Sequence, residues 1–193
     1  MFTVSDHLAK IVSVTNVSEK HGKDRVPAIS IGLYLVGSQD LLDHFDNGLV
    51  PMLWRRPQPA PGQLPMEHTN FTELRFPFLR QFAWEKKYVG YTLRFHIGAT
   101  GSEDVLLSDI GLKDIRFVAQ EGGSVGIGFK VNAHPMSELD HGKLGTRLQQ
   151  ELMITLTPPD QYADPGLFDG DEHPDDSEDP FAGSDLEQRE TTE

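Results

Sequence analysis

The sequence predicts an all-β fold: an antiparallel sandwich or partly open barrel with two short helices and a disordered acidic C-terminal tail. Three features lead there. Apolar and polar residues alternate at period two in one segment after another, the mark of strands with one buried face. Helical spacing is too rare to supply the crossovers that a parallel sheet needs. Acidity is also confined to one end. Residues 158–193 hold thirteen Asp or Glu against a single base, Arg189, whereas residues 1–157 hold 17 acids and 16 bases. The near-neutral part, 1–157, is therefore expected to be one β domain, and 158–193 a separate tail.

The clearest element is a hairpin. Ile115, Phe117 and Ala119 alternate with Arg116, Val118 and Gln120, and Val125, Ile127, Phe129 and Val131 alternate with Gly126, Gly128, Lys130 and Asn132. Opposed residues share a face, so Phe117 is expected against Ile127 and Ala119 against Val125. That register leaves a three-residue loop, Glu121-Gly122-Gly123. A type I turn closed by a left-handed glycine bulge has this length. The glycine doublet has no following helix and no Gly-Lys-Ser/Thr, so it reads as a turn and not as a phosphate loop.

The remaining elements follow in order. Leu8–Val17 and Val26–Val36 read as an antiparallel pair, joined by a charged turn over Ser18–Arg25, with Pro27 at a strand start or an edge. Ser38 caps a short helix, Gln39–Asn47, which Gly48 ends. Leu49–Arg56 reads as a short extended segment, and the prolines between Pro57 and Thr69 as a loop. Strands are expected at Thr72–Phe78, Gln81–Glu85 and Val89–Ile97, with Glu85–Tyr88 as a turn, and Asp104–Leu112 leads into the hairpin. Ser137 caps a weak helix reaching Gln149. Leu152, Ile154 and Leu156 mark a last strand, stopped by Pro158 and Pro159. In all, eight or nine strands and no internal repeat are expected.

Several classes of function find no support. There is no cysteine, so disulfides and thiolate sites are excluded. No apolar run reaches the about 18 residues of a membrane span, and Met1 opens no secretory pattern. A cytoplasmic protein, in the host cytoplasm if phage-encoded, is the expectation. The eight histidines show no ligand-pair spacing, no serine sits in G-x-S-x-G, and the acids at 169–176 lack the glycine and closing glutamate of a calcium loop. No enzyme, metal or cofactor is expected.

The strongest hint of binding lies between Phe71 and Phe95, which hold eight of the seventeen aromatic residues. Cations are interleaved with them. Single-strand nucleic-acid binders combine these types because bases stack on rings while cations follow the phosphates. The candidate residues are Arg80, Trp84, Lys86, Lys87, Tyr88, Tyr91 and Arg94, with Trp54, Arg55 and Arg56 extending the surface. At alternating strand positions, the same rings also read as ordinary core. Both readings stay open at this level.

In the tail, Leu167-Phe168 and Pro180-Phe181 stand among acids, a pattern suited to docking in a basic-rimmed apolar pocket. A β body, a basic-aromatic stretch and the sequence Asp175-Asp176-Ser177-Glu178-Asp179-Pro180-Phe181 together resemble the plan of bacterial and phage single-stranded DNA-binding proteins. The chain is similar as well to small prophage proteins of recombination regions. The resemblance implies a non-enzymatic single-stranded DNA-binding or recombination accessory protein. Phe168, Asp175, Asp176, Glu178, Asp179, Pro180 and Phe181 would then recruit replication or recombination proteins, and the tail would screen the DNA site. Here twelve residues follow Phe181, where the family's tail ends. The alternative is a phage-encoded inhibitor or adaptor acting through the tail, and a homo-oligomer or virion component is a third.

Overall fold

The computed structural model describes residues 1–21, 24–57, 71–79, 81–134 and 136–159. Nine strands are present: β1 (Val4–His21), β2 (Asp24–Ser38), β3 (Trp54–Arg55), β4 (Glu73–Leu74), β5 (Phe82–Trp84), β6 (Tyr88–Phe95), β7 (Val105–Gln120), β8 (Ser124–Ala133) and β9 (Glu151–Thr157). Six of them run in the order β7-β6-β9-β1-β2-β8, and β8 pairs back onto β7. Every pairing is antiparallel. The fold is thus a barrel and not a sandwich, and it is closed, not partly open. Strand β5 adds to the outer part of β7, while β3 and β4 form a small separate ribbon. Three short helices accompany the strands: a 3-10 helix at Gln39–His44, α1 (Leu49–Leu53) and α2 (Glu138–Gly145). None of the described helices is long and apolar enough to cross a membrane.

A six-stranded barrel has a tight radius, and long strands must bend to close it. Bulges supply the bends. Four fall at Asp6, Gly90, Asp109 and Asp114, all at positive φ (47°, 77°, 52° and 53°) and beside breaks in strand register, and a further break lies between Ile11 and Ser13 of β1. Aspartate tolerates the left-handed region better than most residues, and glycine enters it without cost. Each extra residue also reverses which side chains point inward. Along β7 the buried residues are Val105 and Leu107, then Ile110 and Leu112 after Asp109, then Ile115 and Phe117 after Asp114. The core inside the barrel is apolar throughout, with Ile11, Ile31, Leu33, Leu93, Phe95 and Ile127 all shielded from water.

Several local expectations need correction. Of the charged segment, Ser18–His21 and Asp24–Arg25 are strand, with pairing running through Ser18↔Pro27 to His21↔Asp24. Beyond Lys10 no β9 partner remains, and β8 pairs β2 only from Ile29. Among the described residues, no third strand pairs with this end of the β1–β2 ribbon. Pro27 lies on the part without a β8 partner, an edge position as expected. Leu49–Leu53 is helical: Pro51 sits in the first turn, where its missing N–H matters little, and Leu49 and Leu53 are buried on one side. The 3-10 helix ends at His44, with Phe45 as its C-cap, before Gly48. The segment 72–78 is strand only at Glu73–Leu74, and Leu79 N–H closes a turn onto Phe76 O at 3.0 Å. The helix after Ser137 stops at Gly145, short of Gln149.

The central hairpin has the expected register, Phe117↔Ile127, Ala119↔Val125 and Gln120↔Ser124, with Glu121-Gly122-Gly123 as the loop. Its turn type differs, because Gly122 and Gly123 both lie at positive φ (83° and 81°), whereas a type I turn with a bulge needs only the last. The tip is docked: Gly122 N–H donates to Thr72 O and Gln39 N–H to Gly123 O, both at 3.0 Å. A Cβ on Gly123 would sit 2.9 Å from Phe71 O, but one on Gly122 would meet nothing. Gly122→Ala is therefore expected to cost about 1 kcal/mol of stability through φ alone. Gly123→Ala should cost more, about 2–3 kcal/mol with the backbone clash included. Urea unfolding of the two variants measures the difference. Equal losses would mean that the tip is not held against 71–72.

Candidate nucleic-acid interface

The rings expected to stack bases belong to the core. Tyr91 is buried inside the barrel and Tyr88 nearly so, and burial pushes the Tyr91 phenol up from its ordinary pKa. Trp84 is half-buried, packs against Phe117, and donates its indole N–H to Tyr88 Oη at 3.2 Å. Phe45, from the 3-10 helix, gathers this cluster, with its ring centroid 4.7 Å from Phe2, 4.8 Å from Phe117 and 6.1 Å from both Trp84 and Tyr88. Edge-on packing of this kind stabilises a core and leaves no face for a base. Trp54 is fully buried too, so the extended surface expected at Trp54-Arg55-Arg56 loses its ring. Tyr88, Tyr91 and Trp54 are not stacking residues.

The cations behave otherwise. Lys86 and Lys87 stand in solvent between β5 and β6, and Lys86 Nζ lies 5.3 Å from the Tyr88 ring centroid. Two adjoining hollows run along the outside of β7. One, of about 380 Å³, is lined by Ala83, Trp84, Lys87, Asp114 and Arg116; the other, of about 570 Å³, by Lys87, Tyr88, Asp109, Lys113 and His134. Lys87 is common to both. Lys130 registers opposite Lys113 and forms an ion pair with Asp114 at 2.8 Å. That hydrogen bond, together with the charges of Lys130, Lys113 and Arg116, holds the Asp114 carboxyl below its usual range. Around the two hollows stand Lys86, Lys87, Lys113, Arg116 and Lys130, against Glu85, Asp109 and Asp114. The face is cationic by two charges, with Asp114 paired to Lys130 and Asp109 3.8 Å from His134 Nε2.

Arg94 points outward from β6 but registers with Leu106, at the far end of the β6–β7 ladder from Tyr88↔Leu112. At about 3.3 Å per residue it stands roughly 20 Å from the hollows, so the structure does not bring it to the others. Arg55 pairs with Glu73 across the β3–β4 ribbon, which raises the arginine's pKa and lowers the glutamate's through their shared hydrogen bond. Arg56 Cζ lies 5.5 Å from the Phe71 ring centroid. Arg80 lies outside the described residues, as do Phe168, Asp175, Asp176, Glu178, Asp179, Pro180 and Phe181.

Two rings of the basic-aromatic stretch do face water. Phe76 is 54% and Phe78 97% exposed, and they line a shallow, mostly apolar notch with Met52, Arg75, Pro77 and Leu79. Strand β5 follows later in the sequence, and its Ala83 registers opposite Arg116. Single exposed apolar residues are ordinary, but here Met52, Phe76, Phe78 and Leu79 make one contiguous apolar patch, the kind of surface that partners use.

Lys113, Arg116 and Lys130 escape a reading of the sequence that treats the hairpin as scaffold. For Arg116 and Lys130 the signal was available, since both alternate with buried neighbours and so must face out. For Lys113 strict alternation misleads, placing it with Ile115 and Phe117 on the buried side. The Asp114 bulge turns it outward, beside Arg116. Compared with protein-family models, curated proteins and solved structures, the chain matches none.

Proposed function

We propose that this chain is a non-enzymatic single-stranded DNA-binding protein, an accessory to recombination or replication, whose strand lies along the outer face of β7. The observation that carries this reading is the pair of hollows joined at Lys87 and lined by Lys113 and Arg116, on a chain that also holds Phe76 and Phe78 open to solvent. Cations spaced along a groove track phosphates, and open rings accept bases of any sequence. The acidic stretch beyond Pro159 acts as a tethered competitor for the same cations and recruits basic partners when DNA displaces it.

Titration of labelled oligo-dT into the full chain, and into a chain ending at Pro159, tests this. Binding should weaken steeply with salt, with a log–log slope near −0.7 per phosphate contacted, and truncation should tighten it. Absence of binding by either form at low salt rejects the proposal.

A second reading rests on the notch of Met52, Phe76, Phe78 and Leu79, which is apolar enough to seat a partner protein's side chain. In that case the protein is an adaptor or inhibitor. Phe78→Ala would then abolish partner capture while neither form of the chain binds DNA.

A further inference from the structure

Outside the barrel, Tyr34 lies across two glycines of the neighbouring strand. A Cβ built on Gly126 would fall 2.1 Å from Tyr34 Oη, 2.7 Å from Cζ and 3.1 Å from Cε2, and one on Gly128 would fall 3.6 Å from Cδ2. One edge of the ring therefore runs along β8, over backbone that carries no side chains. The pairing Leu35↔Ile127 and Tyr34↔Gly128 fixes this placement, because Leu35 and Ile127 are buried and their neighbours must face out. Tyr34 itself is half-buried.

The same row of the sheet continues on both sides. Gly128 registers with Arg116 on β7, and Tyr34 with Lys10 on β1. Arg116 and Tyr34 are thus two strands apart, about 10 Å, with only the bare backbone of Gly128 between them. The exposed Val36 follows Tyr34 on β2, opposite Gly126, and the row beyond holds Val118. Beyond Lys10 the row ends at Glu151 on β9, so Arg116 is the cation without an acid opposite it in this row. A ring with apolar neighbours and a cation on either side fits an aromatic ring attached to phosphates.

We infer that Tyr34 is a base-stacking site, where a nucleobase of a single strand rests on its ring while the flanking phosphates reach Arg116 and Lys10. This rests on the nucleic-acid reading above and extends it: from the β7 hollows the strand crosses β8 onto β2 and does not simply follow β7. Gly126 and Gly128 are needed to let the ring lie down, and Arg116 is where the two parts of the path meet.

Oligo-dT affinity at low salt, measured by fluorescence anisotropy on the full chain, tests the inference. Tyr34→Leu is expected to lose about 5- to 100-fold and Tyr34→Phe no more than about 2-fold, since stacking needs the ring and not the hydroxyl. Melting curves establish that each variant is folded. In parallel, an oligonucleotide carrying 5-iodouracil is photocrosslinked to the unmodified chain, with the adduct mapped by mass spectrometry. Failure of the unmodified chain to bind any oligonucleotide removes the underlying reading together with this one. If it binds and a folded Tyr34→Leu binds equally well, the Tyr34 site is wrong while the β7 site stands. If Tyr34→Leu does not fold, an adduct on Tyr34 supports the site, and adducts confined to other residues overturn it.

Discussion

Trp54→Ala is expected to lower folding stability by about 3–5 kcal/mol, the range for truncating a large aromatic residue in a packed core. Trp54 is wholly shielded from water and is among the largest such side chains. Its indole N–H also donates to Gln120 O at 2.9 Å, linking the β3–β4 ribbon to the end of β7. Truncation leaves a cavity beneath the ribbon and strips that carbonyl of its partner, which adds about 1 kcal/mol. In a domain of this size each kcal/mol moves the melting temperature by about 2–4 °C, so a fall of about 10 °C or more should appear. Trp54→Phe keeps most of the volume and should recover more than half of the loss. Urea unfolding followed by circular dichroism separates the two, with the midpoint moving and the slope unchanged. A loss below about 1 kcal/mol for Trp54→Ala would show that the ribbon is not anchored through this ring.

The same residue shows what the chain's letters reveal and what they conceal. Trp54-Arg55-Arg56 has the composition of a binding surface, yet the tryptophan faces in and the arginines face out. Composition over a short window does not resolve faces; pairing does. Where alternation is unbroken, as at Phe117, Ile127, Tyr91, Leu93 and Phe95, the buried set was readable because period two admits only two choices of face. Alternation failed as a guide at the bulges. The apparent break near Leu112–Lys113, which divides one long strand into two by pattern alone, is the parity reversal imposed by Asp114. An aspartate at positive φ looks like any solvated acid, so the bulge and the outward turn of Lys113 were not legible. The setting of Tyr34 was equally hidden. It depends on Gly126 and Gly128, nearly a hundred positions away, and only the β2–β8 register brings them together.

Replacing Lys113 and Arg116 together by glutamate is expected to weaken oligo-dT binding about 100-fold at about 50 mM salt and to flatten the salt slope by about 1.4. The effect is electrostatic and local. Two phosphate contacts on a single strand carry about 0.7 each in the log–log slope, and the bulge between these residues presents both cations to the same outer face. Reversing their charge also leaves Asp109, Asp114 and Glu85 facing the groove with less opposition, so the field changes sign there. Arg25→Glu with Arg94→Glu makes an identical change in net charge on the β1–β2 ribbon and at the far end of β6. Through a Debye length of about 10 Å at 0.1 M salt, that pair should cost less than about 10-fold. The two double variants therefore distinguish a defined groove from diffuse attraction to a body with 16 bases. Equal losses from both pairs would mean that the strand does not choose the β7 face, and the groove would have to be given up even if the protein binds DNA.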